Sequence, residues 1–416
     1  MGWKPQARPA WAQSLNALGA NLVGGPAPLF GLEQDELLAT ARASSGLDDF
    51  GDDGFHDGLS RYLEALCGEA RLNTCGRLMA RQDVLRLLQN RLLLAEHRKR
   101  AEPPPAGQRD ASPIIVTGFA RTGTTFLHEL LACDRRLRGF DLAELMYPVP
   151  PSSPGSDAAR RRVETVASEA DFMNVLAPDF QSMHDNAADQ PAECIFVFAH
   201  EFASDLFVGA HDIPSYAAWL ATTDLTAAYR AHRDFLEVVA GPDDDREWVL
   251  KAPSHLGNLA VLLAVYPGAR VVVTHRDPLT VLASLANLMA TLRWMRSDHV
   301  DYPSLIESMA FGYGWLAEQV LVKRDALGDR ADQLCDVRYV DLVADPVGTV
   351  AGLYDRWGLE LDAATRDRIT ALVSSRGQGR HGRHDYAFGD TGLDLATERG
   401  RYREYQARFD VPSELE

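Results

Sequence analysis

The sequence predicts an α/β protein built on a parallel sheet, preceded by a layer of helices, and three observations carry that reading. Short apolar runs at 113–117, 247–251, 269–275 and 334–340 are each followed by a loop and a helical pattern. These runs are nearly continuous in Val, Ile and Leu, as strands buried on both faces are. The first 105 residues instead repeat apolar side chains at three- and four-residue intervals.

In that first part, Leu59, Tyr62, Leu63 and Leu66 mark one amphipathic helix, and Leu85, Leu87, Leu88, Leu92 and Leu94 mark another. The second runs into His97-Arg98-Lys99-Arg100, cations that suit the negative end of a helix dipole. A Pro-rich linker at 101–107 closes the region. The expected organisation is a helical N-terminal region over 1–105 and an α/β domain over 106–416. Within the latter, 150–245 reads as a mostly helical insertion. It is rich in apolar and aromatic residues, among them Ile195, Phe196, Phe198, Phe202, Phe207, Tyr216 and Trp219.

Composition bounds the function classes. A chain of 416 residues with 46% hydrophobic and 24% charged residues is neither disordered nor fibrous. Its net charge of −17 repels polyanions, which argues against general binding to nucleic acid or anionic membranes. No apolar run reaches the roughly 18 residues of a membrane span. The start, Met-Gly-Trp-Lys-Pro-Gln, lacks a signal-peptide core, and Gln6 breaks the myristoylation pattern. A cytoplasmic protein is expected. Five scattered cysteines with no CxxC pair predict buried free thiols and no metal site. His381 and His384 read as loop residues, since no third ligand is evident.

The chemistry starts at Gly118-Phe-Ala-Arg-Thr-Gly-Thr-Thr125, which joins a buried strand to a helix beginning near Thr124. Such a turn aims backbone N–H groups and the positive helix end at one point, an anion site. The Walker A form would need Lys where Thr124 stands; here Arg121 supplies the charge. The sheet is therefore of P-loop type. A second cluster follows at the end of the third apolar run, where Arg276 precedes Asp277-Pro278, with Ser284 eight residues on along the next helix.

Together these motifs resemble the sulfotransferases that use 3′-phosphoadenosine 5′-phosphosulfate (PAPS), in the bacterial branch with a helical N-terminal extension. The resemblance covers roughly residues 112–416. It implies that Arg121, Thr122, Gly123, Thr124 and Thr125 grip the 5′-phosphosulfate and that Phe126 lies against adenine. Arg276 and Ser284 would grip the 3′-phosphate. Val337-Arg-Tyr-Val-Asp-Leu342, followed by Asp345-Pro346, resembles the family segment whose Tyr, here Tyr339, lies near adenine. The basic Gly-rich stretch 376–383 resembles the loop that closes over the 3′-phosphate, with Arg380 and Arg383 as candidates; the family's Arg-Lys-Gly triplet is not literal here.

The implied reaction moves the sulfuryl group of PAPS to a hydroxyl of a small apolar or phenolic acceptor, leaving adenosine 3′,5′-bisphosphate (PAP). No metal is expected. Lys251 ends a strand at the ligand edge of the sheet, where the family keeps a lysine for the leaving phosphate. The base that takes the acceptor proton is Glu144, His255 or Glu193. A nucleotide kinase or NTPase and a non-catalytic nucleotide-binding relative are the competing classes. The oligomeric state is open.

Overall fold

A computed structural model describes residues 3–100, 112–151, 155–183, 188, 190–241, 244–375 and 388–415. Five strands form one sheet: β1 (Ile114–Gly118), β2 (Leu137–Arg138), β3 (Glu247–Lys251), β4 (Arg270–His275) and β5 (Leu334–Arg338). Their order is β2-β3-β1-β4-β5, and every pairing is parallel. β1 is central, with Ile115 opposite Leu250 on one side and Val271 on the other.

Alternate side chains of these strands enter two different apolar layers. Ile115, Leu250, Val271 and Val273 join one, while Ile114, Val116, Val249 and Val272 join the other. That double burial explains the unbroken Val/Ile/Leu runs, because each such side chain gains about 1.5–3 kcal/mol from leaving water. Two boundaries differ from expectation. β5 stops at Arg338, and Tyr339 opens the helix Tyr339–Ala344. β2 has only two residues, too few to leave a periodic trace.

The first hundred residues are helical, with helices Ala10–Ala20, Gln34–Ser45, Phe55–Gly68 and Thr74–Arg100. The last ends in the basic run, where Lys99 pairs with Asp49 at 2.8 Å and Arg100 with Glu96 at 2.6 Å. Its start presses against the helix Pro278–Arg296. A Cβ on Gly76 would lie 1.9 Å from the Arg296 carbonyl oxygen, a backbone atom that cannot swing away. Gly76→Ala is therefore expected to cost about 3 kcal/mol. Gly352→Ala, in the helix Pro346–Trp357 with nothing within 4 Å, is expected to be neutral or slightly stabilising. Thermal unfolding of the two variants checks this; equal melting temperatures would contradict the packing described.

Cys75, Cys194 and Cys335 are buried as expected, Cys133 is half-buried, and Cys67 departs from expectation by being exposed. Among the described residues no helix is long and apolar enough to cross a membrane. The linker 101–107 and the stretch 376–383, with Arg380 and Arg383, lie outside the described residues, as do His381 and His384.

Candidate active site

The loop after β1 depends on glycine at two points. Gly118 has φ +152°, and a Cβ there would sit 2.4 Å from Thr274 Oγ1 on β4. Gly123 has φ +88°, and its Cβ would meet the Tyr339 ring at 2.9 Å. Between them Arg121 takes a left-handed φ of +65°, which costs a side-chain-bearing residue about 1 kcal/mol or more. Strain of this kind survives where the surrounding fold over-determines it. Thr122 supplies part of that constraint: its buried hydroxyl donates to the Phe119 carbonyl at 2.6 Å and lies 2.6 Å from Thr274 Oγ1. Its side chain is thus a brace, and only its backbone is left to face a ligand.

The helix Thr124–Ala132 begins at Gly123 with no side chain capping it. The positive end of its dipole therefore points into the loop after β1. Arg121 borders the same cleft and is exposed to it, its charge disfavoured first by partial desolvation against the cleft walls and next by the nearby Arg276. Two cations held close together in an acidic protein mark a place built for negative charge.

Lys251, at the end of β3, is 2% exposed. Its Nζ donates to Thr125 Oγ1 at 3.2 Å and forms an ion pair with Glu193. The backbone explains how Glu193 gets there: the Cys194 N–H donates to the Lys251 carbonyl at 2.9 Å, and the Ala192 N–H to the Phe140 carbonyl at 3.0 Å. The segment before the helix Ile195–Ala199 is thereby tied across the strand ends.

Arg276 leaves β4 with its guanidinium 4.1 Å from the Tyr339 ring centroid. It also donates to the Arg121 carbonyl at 3.3 Å. Two further bonds, both 2.9 Å, run to the carboxylate of Glu414. Burial works against this guanidinium, but the Glu414 carboxylate holds its pKa above the usual value. Glu414 is in turn fixed by its own N–H, which donates to the buried Asp277 at 2.8 Å. Nothing in the sequence signals this carboxylate. Ser284 is half-buried, two turns into the helix Pro278–Arg296.

Two of the three candidate bases have other work. Glu144 completes a capping box with Asp141: its N–H donates to Asp141 Oδ1 at 2.7 Å and its carboxylate accepts the Asp141 N–H at 3.2 Å. Arg138 pairs with it at 2.6 Å. The pattern Asp-x-x-Glu before an apolar run was the signal for that role. His255 is fully buried, its Nδ1 2.8 Å from the Tyr229 hydroxyl, and burial drives its pKa well below the usual value. Glu193 is the candidate that the fold brings to Lys251, and both border the main cavity.

That cavity has a volume of about 2480 Å³ and runs from the phosphate loop between apolar walls. Phe172, Phe196, Phe207 and Leu220 line it from the helical 150–245 stretch. Leu78, Met79 and Leu85 of the helix Thr74–Arg100 and Met289, Phe311 and Trp315 complete it. The N-terminal helices thus wall the cavity, which the sequence did not indicate. Phe311 is 70% exposed beside it.

Comparison with known proteins follows the same lines. Residues 113–363, more than half of the chain, match the sulfotransferase family. The solved sulfotransferase STF1 of Mycobacterium tuberculosis H37Rv is 32% identical, with a TM-score of 0.75 over 89% of this chain and 98% of that one. The sulfotransferase STF9 of Mycobacterium avium shares the fold, with a TM-score of 0.82 over 92% of this chain and 98% of its own, at 24% identity. The omega-hydroxy-beta-dihydromenaquinone-9 sulfotransferase Stf3 of Mycobacterium tuberculosis (strain CDC 1551 / Oshkosh) is 26% identical over 269 residues. That match spans 59% of this chain and 63% of the relative, less than two thirds of the relative's length.

Proposed function

Because the chain belongs to the sulfotransferase family, we propose that it transfers the sulfuryl group of PAPS to the hydroxyl of an apolar acceptor and releases PAP. The observation that carries the reading is Lys251, buried at a strand end between the hydroxyl of Thr125 and the carboxylate of Glu193. In the proposed reaction the acceptor oxygen forms the new S–O bond as the bond from sulfur to the bridging phosphate oxygen breaks. Glu193 takes the acceptor proton. Lys251 stabilises the charge that grows on the bridging oxygen, and the loop amides and Arg121 hold the phosphate in line. Such stabilisation is strong here because Lys251 is withdrawn from water.

The residues fit the nucleotide. Arg276 and Arg121 supply two cations where two anionic groups must bind, and Glu414 already occupies the Arg276 fork with a carboxylate. The 3′-phosphate therefore has to displace Glu414. Glu414→Gln is expected to tighten PAP binding up to about tenfold, since a neutral amide competes less well for a guanidinium. Calorimetry with PAP reads this directly; weaker binding would mean that Glu414 supports the site instead of competing for it.

The acceptor follows from the cavity. The cavity of about 2480 Å³ takes in the loop after β1, Arg276 and Tyr339, and beyond them it continues between largely apolar walls. A long-chain lipid alcohol or phenol fits it better than a compact phenol or an anionic glycan. The relative named for a dihydromenaquinone acceptor supports that choice. The test is transfer of radiolabelled sulfate from PAPS across simple phenols, steroids, long-chain quinols and heparan-type glycans. Label on the long-chain acceptors is expected; label on the glycans alone would overturn the acceptor class.

A further inference from the structure

We propose that Cys194, His232 and His255 form a buried centre for a single soft metal ion, Cu⁺ by preference, directly behind the Glu193–Lys251 pair. The three residues come from three separate elements. Cys194 precedes the helix Ile195–Ala199, His232 lies on the helix Thr226–Ala240, and His255 lies on the turn Pro253–Asn258 after β3. All three are buried, and one ligand atom of each lies within 4.8 Å of the other two.

The imidazoles are presented as ligands. His232 Nδ1 is 2.6 Å from the Tyr266 hydroxyl and His255 Nδ1 is 2.8 Å from the Tyr229 hydroxyl. The opposite nitrogen, Nε2, has no hydrogen-bond partner in either ring. A buried polar atom left unpaired costs about 1–3 kcal/mol, and two such atoms belong to rings grouped with a buried thiol. Metal-bound histidines characteristically engage their second nitrogen with a hydrogen-bonding group, which sets the tautomer and the ring orientation. With Nδ1–H donated to a tyrosine oxygen, Nε2 keeps its lone pair for an ion.

Binding is Cys–SH plus Cu⁺ giving Cys–S–Cu plus H⁺, with the proton released to solvent and no change of oxidation state.

Charge and coordination number select the ion. One thiolate and two neutral imidazoles around Cu⁺ sum to zero, which a buried apolar site tolerates, whereas Zn²⁺ would leave one uncompensated positive charge. Closed zinc sites also take four protein ligands, and the group contains three among the described residues. Bonds of about 2.0–2.3 Å imply ligand atoms about 3.5–3.7 Å apart. The side chains therefore draw in by at most roughly an ångström on loading. This centre does not depend on the sulfotransferase reading. It touches that site through the Cys194 N–H, which bonds the Lys251 carbonyl at 2.9 Å, so loading stiffens the support of Glu193 and Lys251. The ligands are remote in sequence and share no spacing motif, so no local pattern marks them.

The test uses the full chain carrying Cys67→Ser, which removes the exposed thiol as a competing copper ligand. Cu⁺, kept reduced with ascorbate, is titrated against a chromophoric Cu⁺ chelator. The expected result is one Cu⁺ per chain, a higher melting temperature on loading, and affinity at least 100-fold weaker in Cys194→Ala. Copper-edge X-ray absorption on the loaded Cys67→Ser chain should show one sulfur and two nitrogen neighbours, a readout independent of how Cys194→Ala folds. No stoichiometric binding, or binding unchanged in a folded Cys194→Ala, would overturn the centre. Stoichiometric Zn²⁺ with Cu⁺ excluded would overturn the choice of ion.

Discussion

Lys251→Ala is expected to lower kcat for sulfuryl transfer by about 10²–10³-fold, the usual loss when one preorganised donor to a developing charge is removed. PAP binding should change much less, because the phosphate loop and Arg276 remain. The lysine is held by Thr125 and Glu193, so it needs no reorganisation as charge grows on the leaving oxygen. A melting curve belongs beside the kinetics, since removing one partner of a buried ion pair also destabilises. A folded Lys251→Ala that turns over within threefold of wild type would remove this residue from the chemistry.

Glu193→Gln is the second large effect, an expected loss of about 10²–10⁴-fold in kcat, the range for general-base catalysis. Glutamine keeps the shape and still accepts a hydrogen bond from Lys251, but it cannot take the acceptor proton. Glu144→Gln should behave differently. It weakens the capping box and the Arg138 pair and so costs about 1 kcal/mol of stability while leaving kcat nearly unchanged. Activity measured at saturating PAPS, with unfolding of each variant, separates the two. Loss of turnover in Glu144→Gln with Glu193→Gln active would reverse the assignment.

What could be read from the sequence followed physical rules. Strands buried on both faces are written as unbroken Val/Ile/Leu runs, so β1, β3, β4 and the start of β5 were visible as such. The tight loop after β1 was visible because close backbone approach at Gly118 and left-handed backbone at Gly123 require glycine in order. Lys251 followed from its place at a strand end. Contacts between remote segments were not visible. Glu193 reaches Lys251 through the Cys194 N–H bond to the Lys251 carbonyl. Glu414 reaches Arg276 because Asp277 holds its backbone. Neither bond has a local sequence pattern. Thr122 was read as a ligand contact because it belongs to the motif, whereas its hydroxyl faces Phe119 and Thr274. The capping box at Asp141 and Glu144 was legible and outweighs the catalytic reading of Glu144.

On the proposed function, the loop after β1 serves a 3′-phosphorylated adenine nucleotide and not ATP. Calorimetric titration with PAP, with AMP and ATP·Mg²⁺ as controls, on wild type and Arg276→Ala tests it most directly. PAP is expected to bind at least 100-fold more tightly than AMP, and Arg276→Ala to abolish most of that difference. Preference for ATP·Mg²⁺, or equal PAP binding with and without Arg276, would contradict it and return the loop to a nucleotide kinase.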